Sequence, residues 1–310
     1  MIPPKQRHAS SGPFRSPSPI KDERILLVGA SGLLGEAVAG KIPPTSSTIL
    51  PRELTKRIDE AAIIEAVGAL RPDILINCAA DTDVEGAEAD DVRARAVNAL
   101  LPEALARGAR AVGAQFVHFS STGCYGDWKS GPYVETDAVR PTTAHHRSKV
   151  EGEERVFAAH PNALILRLGW LFGGRPGLKK NFIWNRLLEA RGAREIKSNP
   201  AQFGCPSYVE DVVEQTFSVI ENGRAGLFNC VNNGDAASRL DYVVEIFTAA
   251  GLNIPVVPVE FQRKARVSPN ETAANARLAE LGLDHMPDWR ASLRAYVASL
   301  PLVPPLEPEA

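Results

Sequence analysis

Short apolar runs alternate with longer stretches of helical periodicity along most of the chain. Arg24–Val28 (RILLV), Ile74–Ile76, Phe116–Phe119 and Ala163–Leu166 are runs of strand length and strand composition. Between them, Asp59–Leu70 and Asp91–Val112 place apolar residues at helical spacing. Strand runs alternating with helices predict βαβ units, and so a parallel sheet buried on both faces. After Leu168 the alternation is less regular: helices are predicted over Asn181–Ala190, Val209–Glu221, Leu240–Ala250 and Asp288–Leu300, with short strands between them. The expected architecture is α/β: a doubly wound, Rossmann-type parallel sheet with a smaller C-terminal substrate-binding lobe. The boundaries read as a dinucleotide-binding domain over 23–168 and a substrate lobe over 169–300, with some interleaving of the two.

The ends break the pattern. Residues 1–22 are rich in Pro, Ser and basic residues without apolar periodicity, and such a segment cannot offset its ordering entropy by burial; disorder is expected there, and a second loose tail over 301–310. Residues 1–22 lack the apolar stretch of a secretory signal. The 310 residues carry a formal net charge of −2, with 44% hydrophobic and 23% charged residues. Near-neutral charge argues against nucleic acid as partner, because phosphate binding needs a basic face. No apolar run is long enough for a bilayer. Cys78, Cys124, Cys205 and Cys230 lie too far apart in sequence for a zinc or redox pair, and their expected state is reduced thiol in the cytoplasm. No metal is expected: His145 and His146 are adjacent, and a helix turns adjacent residues to different faces.

Chemistry enters at the first strand end. Val28 runs into Gly29-Ala30-Ser31-Gly32-Leu33-Leu34-Gly35. In such a turn the first glycine takes the chain out of the strand, the second lets the backbone approach a pyrophosphate, and the third lets the helix pack close to the sheet. The helix start then supplies free N–H groups, here at Leu33 and Leu34, and a positive dipole end. At the predicted second strand end, near Leu50, Arg52 offers a partner to a 2′-phosphate and Glu53 to a ribose hydroxyl; the balance favours NADP(H) over NAD(H).

Further segments resemble the extended short-chain dehydrogenases, and among them the dTDP-4-dehydrorhamnose reductase family. The likeness covers Arg24 to Leu300. Arg71-Pro-Asp-Ile-Leu-Ile-Asn77-Cys-Ala79-Ala80-Asp-Thr82 is similar to the family's RPDVIVNAAAxT, and Asn98 falls in its VNA. His118-Phe-Ser120-Ser121-Thr122-Gly-Cys-Tyr125-Gly126 resembles the strand-end segment of nucleotide-sugar enzymes. Tyr133-Val-Glu135-Thr-Asp137 resembles the lead-in to the catalytic helix, Arg167-Leu-Gly-Trp170 the RTSW segment, Asn181-Phe182 the NF pair, and Gln202-Phe-Gly204-Cys-Pro206 the QxGxP segment.

The resemblance implies hydride transfer from a nicotinamide cofactor to the 4-keto group of a nucleotide-linked deoxysugar. It implies a cofactor site at Gly29, Gly32, Leu33, Leu34, Gly35, Arg52, Ala79, Ala80, Thr82, Asn98 and Lys149, and a substrate site at Ser121, Thr122, Trp170, Asn181 and Gln202. The catalytic residues it implies are Ser121, Lys149 and a tyrosine four residues before the lysine. That spacing puts both side chains on one helix face. Here the segment reads Thr143-Ala144-His145-His146-Arg147-Ser148-Lys149, with His145 in the tyrosine's place. Three readings of His145 stay open: a replacement acid, different chemistry on a related sugar such as epimerisation, or a dinucleotide-binding regulatory protein that has lost catalysis, of which the same family includes one example, a regulatory subunit of methionine adenosyltransferase. A nucleotide sugar is the expected small-molecule partner, and a homodimer is the candidate oligomer.

Overall fold

Aliphatic residues on both faces of a four-residue strand require cover on both sides, and Ile25–Val28 (β1) is buried at every position. The structure, a computed structural model, describes residues 23–301; the expected tails at 1–22 and beyond 301 lie outside the described residues. In chain order β1 is followed by α1 (Leu33–Lys41), β2 (Ser47–Ile49), α2 (Arg52–Arg57), α3 (Glu60–Leu70), β3 (Ile74–Asn77), α4 (Val84–Ala87), α5 (Asp91–Arg95), α6 (Leu101–Val112), β4 (Gln115–Ser121), α7 (Ala144–Ala159) and β5 (Leu164–Leu168). Then come β6 (Trp170–Phe172), α8 (Phe182–Ala190), β7 (Ile196–Ser198), β8 (Phe203–Gly204), β9 (Pro206–Tyr208), α9 (Val209–Glu221), β10 (Gly226–Cys230), β11 (Ala237–Ser238), α10 (Arg239–Ala249), β12 (Val256–Pro258), α11 (Ala276–Glu280) and α12 (Trp289–Ser299).

Six strands form one sheet in the order β10-β5-β4-β3-β1-β2, and every neighbouring pair in it is parallel. Alternation of side chains divides its aliphatics between two cores. Ile25 and Leu27 face α1 and α9, where Val38, Val212 and Phe217 meet them. Leu26 and Val28 face α3 and α6, with Ile63, Val67 and Leu105. The chain leaves β1 for β2 on one side and returns to β3 on the other, so a crevice opens beyond the carboxyl ends of β1 and β3, where open α/β sheets hold ligands. A third core, around Trp170, Phe172, Tyr242, Phe247 and Trp289, gathers β6, α8, α10 and α12. The chain is interleaved between these bodies: α9 and β10 follow β6 in sequence yet belong to the main sheet.

Two differences from the sequence pattern have local causes. The predicted helix over Asp91–Val112 is interrupted by a π-helical turn at Ala96–Leu100. Pro102 follows at the start of α6; having no N–H, it cannot bond the Asn98 carbonyl one turn back, and the turn widens. Asp59 does not open the helix itself but caps it, its carboxylate accepting from the Ala62 N–H. Among the described residues no helix is long and apolar enough to cross a membrane, and no group of three or more His, Cys, Asp and Glu could hold a metal.

Candidate functional site

A cleft of about 550 Å³ lies over the carboxyl ends of β1, β3 and β4 and under β6 and α10. Its floor begins at the glycine turn. Gly29 has φ +80°, a conformation that side chains disfavour. A Cβ at Gly35 would overlap the Gly29 carbonyl and the Ala30 backbone, whereas a Cβ at Gly32 would meet nothing closer than 3.7 Å. Gly29 and Gly35 therefore shape the turn from beneath, and Gly32, Leu33 and Leu34 line the cleft. Gly32 caps α1 without a side-chain bond, so the first N–H groups of the helix have no partner within it. This is the cradle that a diphosphate requires.

The neighbouring wall comes from the end of β3. Asn77 accepts from the Ala79 N–H at 3.1 Å, and Ala79, Ala80 and Thr82 line the cleft. Asn98 does not reach the cleft lining. Its amide accepts from the Asp81 N–H (2.9 Å) and donates to the Asp81 carbonyl and Ser148 Oγ (both 3.0 Å). It is a fully buried brace between this wall and α7. Arg52 stands at the first position of α2, exposed and off the cleft lining.

Opposite, Ser121 ends β4 and accepts from the Gly123 N–H at 3.2 Å. Thr122, expected to touch substrate, is buried in the short 3-10 turn behind Ser121 and does not line the cleft. Thr143 caps α7 by accepting from the His146 N–H, and the first turns of that helix present His145, His146 and Lys149 to the cleft. Lys149 is buried and donates to the Phe119 carbonyl at 3.0 Å; burial pulls its ammonium down to about 8, against partial compensation from Cys124, Glu153 and Asp81.

His145 and Lys149 share a face as the spacing requires, and both line the cleft. The imidazole that meets Ser121 is that of His146, with Nε2 3.4 Å from Ser121 Oγ. His145 is turned to the main chain of Asp81, and its Nδ1 has no partner. Burial, with the charges of His146 and Lys149 adding to it, pushes His145 down to about 3. Burial also lowers His146, with Glu271 opposing and Lys149 and Arg263 reinforcing.

The outer wall belongs to the third core. Trp170 donates to Glu271 Oε2 at 2.6 Å, and the Arg239 guanidinium stacks 3.4 Å over its ring. Gly204 leaves the space that the indole occupies, since a Cβ there would overlap it. Gln202 lines the cleft beside Trp170. Asn181 does not: fully buried, it caps α8 through Trp184 N–H and donates to the Tyr296 hydroxyl at 2.6 Å. Tyr242, stacked on Trp170 and Phe182, lines the cleft with a hydroxyl that has no partner. The charged residues of the lining are Lys149, Lys180, Arg239, Arg263 and Glu271, four cations to one carboxylate. Lys180, Arg239, Arg263, Tyr242, Glu271 and His146 were not anticipated. Arg239, Tyr242, Arg263 and Glu271 come from α10 or from the irregular 263–271 segment, far along the chain from the motifs, whereas Lys180 directly precedes the Asn181-Phe182 pair and His146 directly follows His145, and no local pattern marks them.

A family model described as RmlD substrate binding domain matches residues 23–301. A dTDP-4-dehydrorhamnose reductase from Mycobacterium tuberculosis is 31% identical over 288 residues, covering 90% of this chain and 94% of that relative. The crystal structure of a dTDP-4-dehydrorhamnose reductase from Clostridium acetobutylicum superimposes with a TM-score of 0.83 at 30% identity, covering 88% of this chain and 98% of its own. That of the enzyme from Bacillus anthracis in complex with NADP gives 0.84 at 26% identity, covering 89% and 99%.

Proposed function

The chain belongs to the RmlD substrate-binding family of extended short-chain dehydrogenases, and from that premise we propose that it is a nicotinamide-dependent oxidoreductase that reduces the 4-keto group of a nucleotide-linked deoxysugar. The observation that carries the reading is the cleft itself. One wall is an uncapped helix start and the other holds Ser121 and Lys149, with three further cations and a tryptophan completing the lining. The cations suit an anion of high charge, and the stacked Trp170 suits the face of a sugar or base. The named substrate of the Mycobacterium tuberculosis relative supports the same ligand class.

A reduced nicotinamide supplies the hydride when bound. The residues here fit such a cofactor: the N–H groups of Leu33 and Leu34 would hold the diphosphate, Ala79, Ala80 and Thr82 would flank it, and Lys149 would hold the nicotinamide ribose. Ser121 offers its hydroxyl to the substrate oxygen, and Trp170 and Gln202 hold the sugar. NADP(H) is proposed over NAD(H), because Arg52 offers a charge-assisted partner for a 2′-phosphate at the end of β2, and the Bacillus anthracis neighbour was solved with NADP. The test is oxidation of NADPH by the purified protein with dTDP-4-dehydro-6-deoxy-L-mannose. Turnover is expected. A second reading, a dinucleotide-binding protein without catalysis, is favoured by one observation: His145, in the tyrosine position, is turned to the main chain of Asp81 and leaves its buried Nδ1 without a partner, and burial lowers its affinity for a proton. Tight NADPH binding with no turnover of any 4-keto sugar nucleotide would decide for it.

A further inference from the structure

We propose that the proton completing the reduction passes through Ser121 from His146, so that the family tyrosine is replaced by a Ser121–His146 pair and not by His145. The proposal deepens the reductase reading and rests on it. Residues 145 and 146 stand about 100° apart on a helix, so only one can meet Ser121, and the one that does is His146. Both of its ring nitrogens are held. Nδ1 lies 3.0 Å from Thr143 Oγ1, the hydroxyl that also accepts the His146 N–H, and Nε2 lies 3.4 Å from Ser121 Oγ. The position opposite the ring is Gly123, where any Cβ would overlap ring atoms Cε1 and Nε2. A glycine slot, a hydroxyl on each nitrogen and a place on the cleft lining are what a proton relay needs.

The step balances as follows. The carbonyl carbon gains hydride from the reduced nicotinamide named above, and the carbonyl π pair takes the Ser121 hydroxyl proton. Ser121 Oγ is refilled by the Nε2 proton of protonated His146, which is left neutral and regains a proton from solvent. His146 acts through Ser121 and is in that sense a positioning residue. The groups facing its ring are Thr143, Lys149 and His145 on its own helix and cap, Glu271 and Arg263 from the 263–271 segment, and Ser121 from the end of β4. Because the donor must be protonated, turnover falls as pH rises through the His146 pKa.

The test compares the wild type with His146→Gln, His146→Ala and His145→Gln, using kcat and KM against pH. It adds 15N NMR of the histidine rings in the unliganded protein. Expected are a loss of about 100-fold or more in kcat for His146→Gln, with NADPH affinity kept and the pH limb gone. Added imidazole should partly restore His146→Ala, His145→Gln should lose at least tenfold less and keep the limb, and Ser121→Ala should move the His146 ring resonances. A larger loss in His145→Gln than in His146→Gln, or His146 resonances unmoved by Ser121→Ala, would overturn the relay. Wild-type protein that binds NADPH without turnover overturns the reductase reading itself, and the relay with it.

Discussion

Lys149 shows how a single buried group couples site and stability. Its ammonium gives up solvent for one carbonyl at 3.0 Å, and its pKa falls to about 8 from an unfolded value near 10.4. Between those values the unfolded chain binds the proton more strongly, so the fold gains stability as pH rises through the window. Below about pH 8 both states are charged and the penalty stands in full. The melting temperature of wild type relative to Lys149→Met is therefore expected to climb from pH 8 to 10 in calorimetry; a difference that stays flat would mean that the amine is not desolvated. Arg52 is the opposite case, exposed and off the cleft lining. Arg52→Ala is expected to weaken NADPH binding roughly tenfold, about 1.4 kcal/mol, and to leave NADH unchanged, which titration calorimetry with the two coenzymes would measure.

At the scale of elements, the β1 turn and α1 form one rigid unit, because Gly35 is seated on the Gly29 carbonyl. Backbone cannot yield as a side chain can. Gly35→Ala is expected to cost about 3 kcal/mol in urea unfolding and to abolish coenzyme binding. The helix α7 unit depends on its buried pair: Arg167 on β5 reaches Glu153 on α7 at 2.9 and 2.5 Å, and stacks over Tyr125. Glu153→Ala would leave a buried guanidinium unpaired, at about 3–5 kcal/mol. Chemical denaturation should detect that loss. The same loss without any change in kcat of the surviving folded fraction would show that the pair acts on stability alone.

Across the whole molecule, the site exists only because the sheet and the third core meet. Trp170 opens β6 two residues after the end of β5, and Arg239 and Glu271 arrive from segments some 70 and 100 residues later to hold its ring. Trp170→Phe keeps the stacking partner for Arg239 but drops the bond to Glu271. It is expected to raise KM for the sugar nucleotide more than it lowers kcat, and steady-state kinetics would measure the split. Asn229 on β10 ties the sheet to the turn after β4 and to the segment before α11, accepting from the Tyr125 hydroxyl at 2.7 Å and donating to the Ala274 carbonyl at 2.8 Å.

The alternation of apolar runs determined the parallel sheet, since a strand buried on both faces is written mostly in apolar residues, and helices Val209–Glu221 and Trp289–Ser299 follow their sequence periodicity almost to the residue. The glycine turn was equally legible, because φ +80° at Gly29 and the contact at Gly35 admit no side chain. Which residues face one another was not. Asn98, Thr122 and Asn181 carry the family's residue types, yet Asn98 and Asn181 are spent on buried bonds to Ser148 and to Tyr296, and Thr122 is buried in the turn behind Ser121. The cations of the cleft have no common motif, and their convergence is a product of chain crossing. The choice between two adjacent histidines turned on 100° of helix rotation and on an empty position at Gly123, quantities that exist only once β4 and α7 are packed together.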